Sequence, residues 1–402
     1  MPFLLQMTLK HRRIMFFPQE LLSHYLRCIC LARQLKDDYE IVFFASETYA
    51  CFVEKEGFLC IMNDLSDISE VLRHARQFDF SWINRDSIEA GYTKQFSVIM
   101  QQKPDMVVGD ANLSLRMAAQ KAGVPMVALQ NNYLSKYYAD IRPVPHQHPA
   151  NAFKPKLSEK NWNRLVRAVE KIVLRSVHRP FRILRSEYRL PRYQNLLDEF
   201  AGDYVLYLDN ELLFPLRSLG SNSAVVGPMA YHSHQDEPEL LAWLSICSPK
   251  PLVYVSMGSS GNAGNLDFLH HPAAAEYNWI VTGTGDSPLE NIFFKPFINF
   301  DAIARKVQLM VCHGGNGTIY QALMNGIPLI MMPSFFEQEW NTHRIVKLGL
   351  GVVIYPENPV EEFYEICAKQ LLTQSDPARI AMANQLQQAE YTSVKDFFES
   401  IP

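Results

Sequence analysis

A chain of 402 residues is too long for one ordinary core and fits two domains of about 200 residues each. Hydrophobic residues make up 48% and charged residues 20%, which excludes a disordered chain, and a net charge of -4 supplies no basic field for nucleic acid. Seven cysteines, an odd number with no Cys-x-x-Cys pair, argue against a disulfide framework or a structural zinc site.

No apolar run approaches the roughly 20 residues that span a bilayer. The apolar start Met1–Met7 is short, and its basic residues follow it instead of preceding it, so it does not read as a signal peptide. The cytoplasm is the expected location.

In chain order, Arg13–Pro18 is an apolar run closed by proline and reads as the first strand of a parallel sheet. Leu22, Leu26, Ile29, Leu31 and Leu35 then recur at helical spacing, and Ile41–Ala45 is the second strand. Met106–Gly109 is a strand, Ser114–Ala122 a helix and Pro125–Leu129 another strand. That alternation predicts an α/β doubly wound sheet. Leu252–Ser256, Trp279–Val281, Gln308–Cys312 and Ile327–Met332 are strands of a second such unit, with a helix over Thr318–Asn325 closed by Gly326. The two Rossmann-like domains join near 212–230, and the stretch from about Pro377 reads as helix.

Residues 160–192 carry Lys160, Arg164, Arg167, Lys171, Arg175, Arg179, Arg182, Arg185, Arg189 and Arg192 every three or four positions. Leu165, Val169, Ile172, Val173 and Val177 interleave, and Pro180 breaks or kinks the pattern. Two readings stand side by side: a solvated face, or a peripheral contact with anionic membrane lipid.

The strongest chemical signal is Val311-Cys312-His313-Gly314-Gly315-Asn316-Gly317-Thr318, a buried strand running into a glycine-rich turn and a helix. The free N–H groups of such a helix start, with the positive end of its dipole, suit a phosphate. His313, Asn316 and Thr318 can add side-chain hydrogen bonds. The turn lacks both the Gly-x-Gly-x-x-Gly spacing of a dinucleotide fold and the lysine of a P-loop, so NAD and ATP chemistry lose ground. After the next strand, Pro333 to Asn341 includes Glu337 and Gln338, which can grip sugar hydroxyls or simply start a helix.

Together these segments resemble the donor signature of the family 1, UDP-glycosyltransferase-like enzymes, a group that includes bacterial macrolide and lipid glycosyltransferases. The resemblance runs from His313–Thr318 through Gln321–Pro328 to Pro333, Glu337-Gln338 and Asn341, and includes Tyr254–Ser259 and Val226–Pro228. It implies a GT-B fold, two Rossmann-like parallel-sheet domains facing across a cleft. Residues 1–215 would bind the acceptor and 225–385 the donor, with a C-terminal helix 386–402 packing back on the first domain. Ser259, His313, Gly315, Asn316, Gly317 and Thr318 would hold the diphosphate, and Phe297 would stack on the base. Gln321, where the family usually has Glu, would meet the ribose. Glu337, where Asp is commoner, and Gln338 would hold the sugar.

The same resemblance makes His24 the general base and Asp110 the acid that orients it. A sugar-acceptor hydroxyl is a poor nucleophile, and a histidine near neutrality can take its proton. The implied activity is an inverting, metal-independent transfer of a hexose from a UDP-sugar. No Asp-x-Asp pair is present, and no cofactor is expected beyond the nucleotide-sugar co-substrate. Phe78, Phe80, Trp82, Tyr92 and Phe96, with Tyr133, Tyr137 and Tyr138, suggest a small, lipophilic acceptor. A nucleotide-sugar epimerase and a catalytically degenerate binding partner remain as alternative readings.

Overall fold

The structure is a computed structural model and describes residues 12–63, 68–233, 236–258, 260, 263–283 and 289–402. Two wholly parallel sheets organise it. The first is built from β1 (Arg13–Pro18), β2 (Glu40–Ala45), β3 (Leu59–Met62), β4 (Met106–Asp110), β5 (Met126–Gln130), β6 (Tyr204–Tyr207) and β7 (Ser223–Val225), in the order β3-β2-β1-β4-β5-β6-β7. The second holds β8 (Leu252–Ser256), β9 (Asn278–Thr282), β10 (Ile292–Lys295), β11 (Leu309–Cys312), β12 (Leu329–Met331) and β13 (Val352–Val353), in the order β10-β9-β8-β11-β12-β13.

The strands are continuous apolar runs because helices cover both faces of each sheet. In β1, Ile14 and Phe16 enter one core while Met15 and Phe17 enter the other, the alternation that a pleated strand imposes. Phe16 stacks on Phe43 of β2 at 4.8 Å, and the second sheet is filled in the same way around Met310 and Val311.

In both sheets the strand order reverses beside the first strand, between β1 and β4 and between β8 and β11. Such a reversal opens a crevice at the carboxyl ends of the strands, where ligands of doubly wound sheets bind. The registers put Pro18 beside Asp110 at one crevice and Ser256 beside Cys312 at the other.

Of three expectations about helices two need correction, while the break expected at Pro180 is present. The helix after the glycine-rich turn spans Asn316–Met324, starting two residues early because Gly315, extended at φ -67° and ψ 141°, takes the cap position. The basic stretch is two helices, Glu159–Val177 and Arg179–Glu187, with Pro180 in the first turn of the second, where its missing N–H costs nothing. No single helix covers 386–402: one ends at Gln387, and Ser393 caps a short helix over Val394–Glu399. Val394, Phe398 and Ile401 are buried in the core beneath the first sheet, and Arg12 donates to the carbonyls of Ile401 at 3.1 Å and Pro402 at 2.9 Å.

Candidate active site

His24 lies in the first turn of the helix Leu22–Leu35, which leaves the end of β1, and Asp110 is the last residue of β4. The crevice between these strands therefore brings together residues 86 positions apart: His24 Nδ1 is 3.0 Å from Asp110 Oδ1. His24 is 8% exposed and Asp110 fully buried. Burial pushes the Asp110 carboxyl up, but the Arg27 and His24 charges more than reverse this and hold it below the usual range.

Arg27, one helical turn beyond His24, was not singled out from the sequence. Its Nε and Nη2 take both oxygens of Asp110 in a fork, and its Nη1 donates to Asn131 Oδ1 at 2.6 Å. The signal was present, since positions three apart on a helix share a face.

The second crevice holds the glycine-rich turn. The His313 ring is sandwiched between Gly258 and Gly315, where an added Cβ would sit 2.6 Å from Cε1 and 2.2 Å from Nε2 respectively. Gly314 adopts φ +83° against the Thr342 methyl, a conformation and a space that only glycine fits. Asn341 Nδ2 donates to the Gly314 carbonyl at 3.1 Å and fixes the turn. Burial lowers the His313 imidazole to about 4, so it is neutral near pH 7. Its Nδ1 lies 3.3 Å from the Ser256 carbonyl, which can only accept, so Nδ1 carries the hydrogen. Gly317 is exposed at the helix start, and Thr318 and Gln321 follow it half-buried. Ser259 lies outside the described residues; its neighbour Ser260 accepts from Gln338 Nε2 at 3.3 Å.

The two crevices are stitched together. Asn316 Nδ2 donates to Asp209 Oδ1 at 2.6 Å, and Asp209, just past β6, also accepts from the Asn132 N–H at 2.7 Å and from Asn131 Nδ2 at 3.2 Å. Burial raises the Asp209 carboxyl above its ordinary value despite these donors. Tyr133 OH donates to Glu337 Oε1 at 2.8 Å. Asn131, Asn132 and Asp209 were missed in the sequence, although all three follow strands at the carboxyl edge.

Other expected positions also make contacts within the protein. Gln338 is 2% exposed and its Oε1 accepts from the Ser334 N–H at 2.7 Å, so here it braces the loop. Phe297 sets its ring edge against Phe52 at 5.8 Å and Tyr231 at 6.3 Å, near the linker. Among the aromatics, Phe78 and Phe80 meet Phe336 at 5.6 and 5.4 Å, and Phe336 meets Trp340 at 4.9 Å, an aromatic wall beside Glu337. Tyr92 and Phe96 instead pack in the first core, Tyr92 against Tyr188 at 4.4 Å. Tyr133 and Tyr138 are buried.

Residues 285–394 match the family described as erythromycin biosynthesis protein CIII-like, C-terminal domain. A PGL/p-HBAD biosynthesis glycosyltransferase of Mycobacterium tuberculosis (strain ATCC 25177 / H37Ra) is 26% identical over 384 residues, covering 90% of this chain and 86% of the relative. A PGL/p-HBAD biosynthesis rhamnosyltransferase of Mycobacterium bovis (strain BCG / Pasteur 1173P2) is 26% identical over 379 residues, 91% of this chain and 82% of its own. Among solved structures, the spinosyn rhamnosyltransferase SpnG complexed with thymidine diphosphate superposes with a TM-score of 0.64 at 16% identity, covering 97% of this chain and 99% of that one. With two doubly wound parallel sheets and these similarities, the chain has the GT-B fold and is similar to the family 1, UDP-glycosyltransferase-like glycosyltransferases.

Proposed function

We propose that the protein moves a hexose from a nucleoside-diphosphate sugar, a UDP-sugar foremost, to a hydroxyl of a small lipophilic acceptor, with inversion and without a metal ion. The observation that carries this reading is the His24–Asp110 contact of 3.0 Å in the same cleft as the His313 turn, the two joined through Asp209–Asn316 and Tyr133–Glu337. Residues 1–215 are assigned the acceptor and 225–385 the donor.

In this mechanism the acceptor O–H bond breaks as its oxygen attacks the anomeric carbon, and the proton passes to His24 Nε2. The bond from that carbon to the diphosphate breaks, and its electron pair leaves on the diphosphate oxygen. A single displacement inverts the centre. Asp110 stabilises the imidazolium as it forms, and general-base help of this kind contributes about 10²–10⁴-fold. The leaving charge develops where the first N–H groups of the helix Asn316–Met324 and its dipole stand ready. Ser259 and Thr318 would add donors, Gln321 and Phe297 would face ribose and base, and Glu337 and Gln338 the sugar.

The aromatic wall of Phe78, Phe80, Phe336 and Trp340 supports a lipophilic acceptor. The helix Glu159–Val177 supports a setting at the cytoplasmic surface of an anionic membrane. Its exposed Leu165, Val169 and Ile172 form a stripe flanked by Arg164, Lys171 and Arg175. Part of the basic run is internal, however: Arg185 is fully buried and forks onto Glu199, and Arg167 donates to the Ala139 carbonyl at 2.8 Å. Among the described residues no helix is long and apolar enough to cross a membrane.

The thymidine diphosphate complex of SpnG and the rhamnosyltransferase names among similar proteins make a dTDP-sugar the second candidate donor. Thermal shifts with UDP, dTDP and GDP, in wild type and His313→Ala, test the donor site. A ligand at about 100 times its Kd stabilises by about 2.7 kcal/mol. One base series should shift the wild type and not the variant, and turnover of that nucleotide's sugars should survive a chelator. No shift with any nucleotide would sink the catalytic reading in favour of a degenerate partner, and an epimerised nucleotide sugar formed without acceptor would mark an epimerase.

A further inference from the structure

The helix Glu159–Val177 forms one wall of a cavity of about 600 Å³ that the mechanism above does not use. Lys136, Arg142, Arg167, Lys171, Arg175 and Arg217 line it, against two carboxylates, Asp140 and Glu170. Both carboxylates are already answered. Glu170 accepts from Arg142, and Asp140 accepts from Lys347 at 2.9 Å and from Arg344 at 3.2 Å, neither of which lines the cavity. Two further cations are committed: Lys136 lies 3.3 Å from Asp198, and Arg167 donates to the Ala139 carbonyl at 2.8 Å.

That leaves Lys171, Arg175 and Arg217, whose side chains make no hydrogen bond or ion pair among the described residues. Their like charges repel across one cavity, so the fold gains nothing by gathering them there. Arg217 is held at its place by its N–H, which donates to the Tyr137 carbonyl at 2.8 Å, and by the antiparallel bridge Tyr138–Leu216. Asn195 Oδ1 accepts from the Leu197 N–H at 2.9 Å, which leaves the amide hydrogens of Asn195 as spare donors in the same lining. Cations and a spare amide around a cavity whose carboxylates are spent suit an anion rich in oxygen, a phosphate group above all.

The same helix says where such a phosphate comes from. Leu165, Val169 and Ile172 form its exposed apolar stripe, at 44%, 46% and 69% exposure. Lys171 and Arg175, four positions apart, share the face between that stripe and the cavity residues Arg167, Glu170 and Leu174. A helix lying in a bilayer surface sinks its apolar stripe about 5–10 Å into the headgroup and acyl boundary, which brings its flanking cations to the level of the lipid phosphates.

We propose that this cavity is a headgroup site for an anionic phospholipid, held by Lys171, Arg175, Arg217 and Asn195 while the stripe Leu165–Ile172 rests in the bilayer. The inference rests on the membrane setting proposed above and adds to it a discrete site outside the donor and acceptor cleft.

The test is binding of the full chain to phosphatidylcholine vesicles with and without phosphatidylglycerol. Wild type is compared with two triple variants of equal charge change. Lys171→Gln with Arg175→Gln and Arg217→Gln empties the cavity of its free cations, and Arg164→Gln with Arg179→Gln and Arg182→Gln removes exposed cations that do not line it. The cavity variant should bind phosphatidylglycerol vesicles on the order of 100-fold more weakly, about fivefold for each cation. The outer variant should lose several-fold at most, and both should keep the wild-type Tm and nucleotide affinity. Equal weakening in the two variants would overturn the headgroup site while leaving the membrane setting intact. Wild type that ignores phosphatidylglycerol vesicles would remove the membrane setting and the site with it. Saturable binding of inorganic phosphate, lost in the cavity variant and without any vesicle binding, would overturn the lipid as the source.

Discussion

Tyr133, from the half of the molecule that carries the proposed base, donates its phenolic hydrogen to Glu337 of the other half at 2.8 Å. The carboxylate assigned to the transferred sugar is thus held by a group on the acceptor side, and a sugar hydroxyl must share it. Tyr133→Phe should raise the KM for the nucleotide sugar by about tenfold, the scale of a hydrogen bond to a charged group. Affinity for the bare nucleoside diphosphate should not change. Parallel titrations with nucleotide and nucleotide sugar would show the difference, and equal weakening of both would mean that Tyr133 shapes the whole cleft.

His24→Ala should lower kcat by about 10²–10⁴-fold and leave the donor Kd near wild type. Asp110→Ala should differ in kind. It leaves the Arg27 guanidinium, whose side chain is 14% exposed, without its carboxylate, so a fall in Tm should accompany the loss of turnover. Comparing melting curves of the two variants checks this.

His313 is neutral in the free protein, with its hydrogen on Nδ1 and its ionisation lowered to about 4. A diphosphate oxygen can only accept, so bonding it through Nε2 requires a proton there. Nucleoside diphosphate binding at pH 7 should therefore take up a proton, and affinity should fall as pH rises. Titration calorimetry in two buffers of different ionisation enthalpy would report the uptake; identical heats would show that the backbone N–H groups suffice.

Asp209 is a carboxylate whose ionisation is raised in the folded state, chiefly by burial. The folded chain therefore holds this proton more tightly than the unfolded one. The group stabilises most below its unfolded value near 3.9, and this is lost as pH climbs through the folded value. The Tm advantage of wild type over Asp209→Asn should shrink as pH is raised from 4 to 7. Asp110 titrates with the opposite sign but is common to both proteins, so the difference isolates Asp209.

The legible parts of the sequence were those where one physical demand governs a local run. Ile14–Phe17 and Val253–Val255 must be apolar because they are covered on both faces, and His313–Thr318 needs glycines because the backbone closes on an imidazole. Tyr204–Tyr207 was not read as a strand: it is four residues long and bordered by Asp203 and Asp209. With β6 unseen, nothing placed Asp209 at a carboxyl edge, and the link to Asn316 stayed hidden. Arg27 was missed for another reason. It was one cation on a surface-like helix, and its meaning depends on Asp110, 83 positions away.

The packing of Val394, Phe398 and Ile401 beneath the first sheet has a consequence for biosynthesis. The sheet itself is complete at β7, which ends at Val225, yet its core stays short of three side chains until the ribosome has added about 175 more residues. At about 5–20 residues per second the nascent first half waits roughly 10–35 s with an open apolar seam. Chaperone dependence during synthesis should therefore concentrate on that half, and supplying residues 388–402 as a separate peptide should speed its maturation.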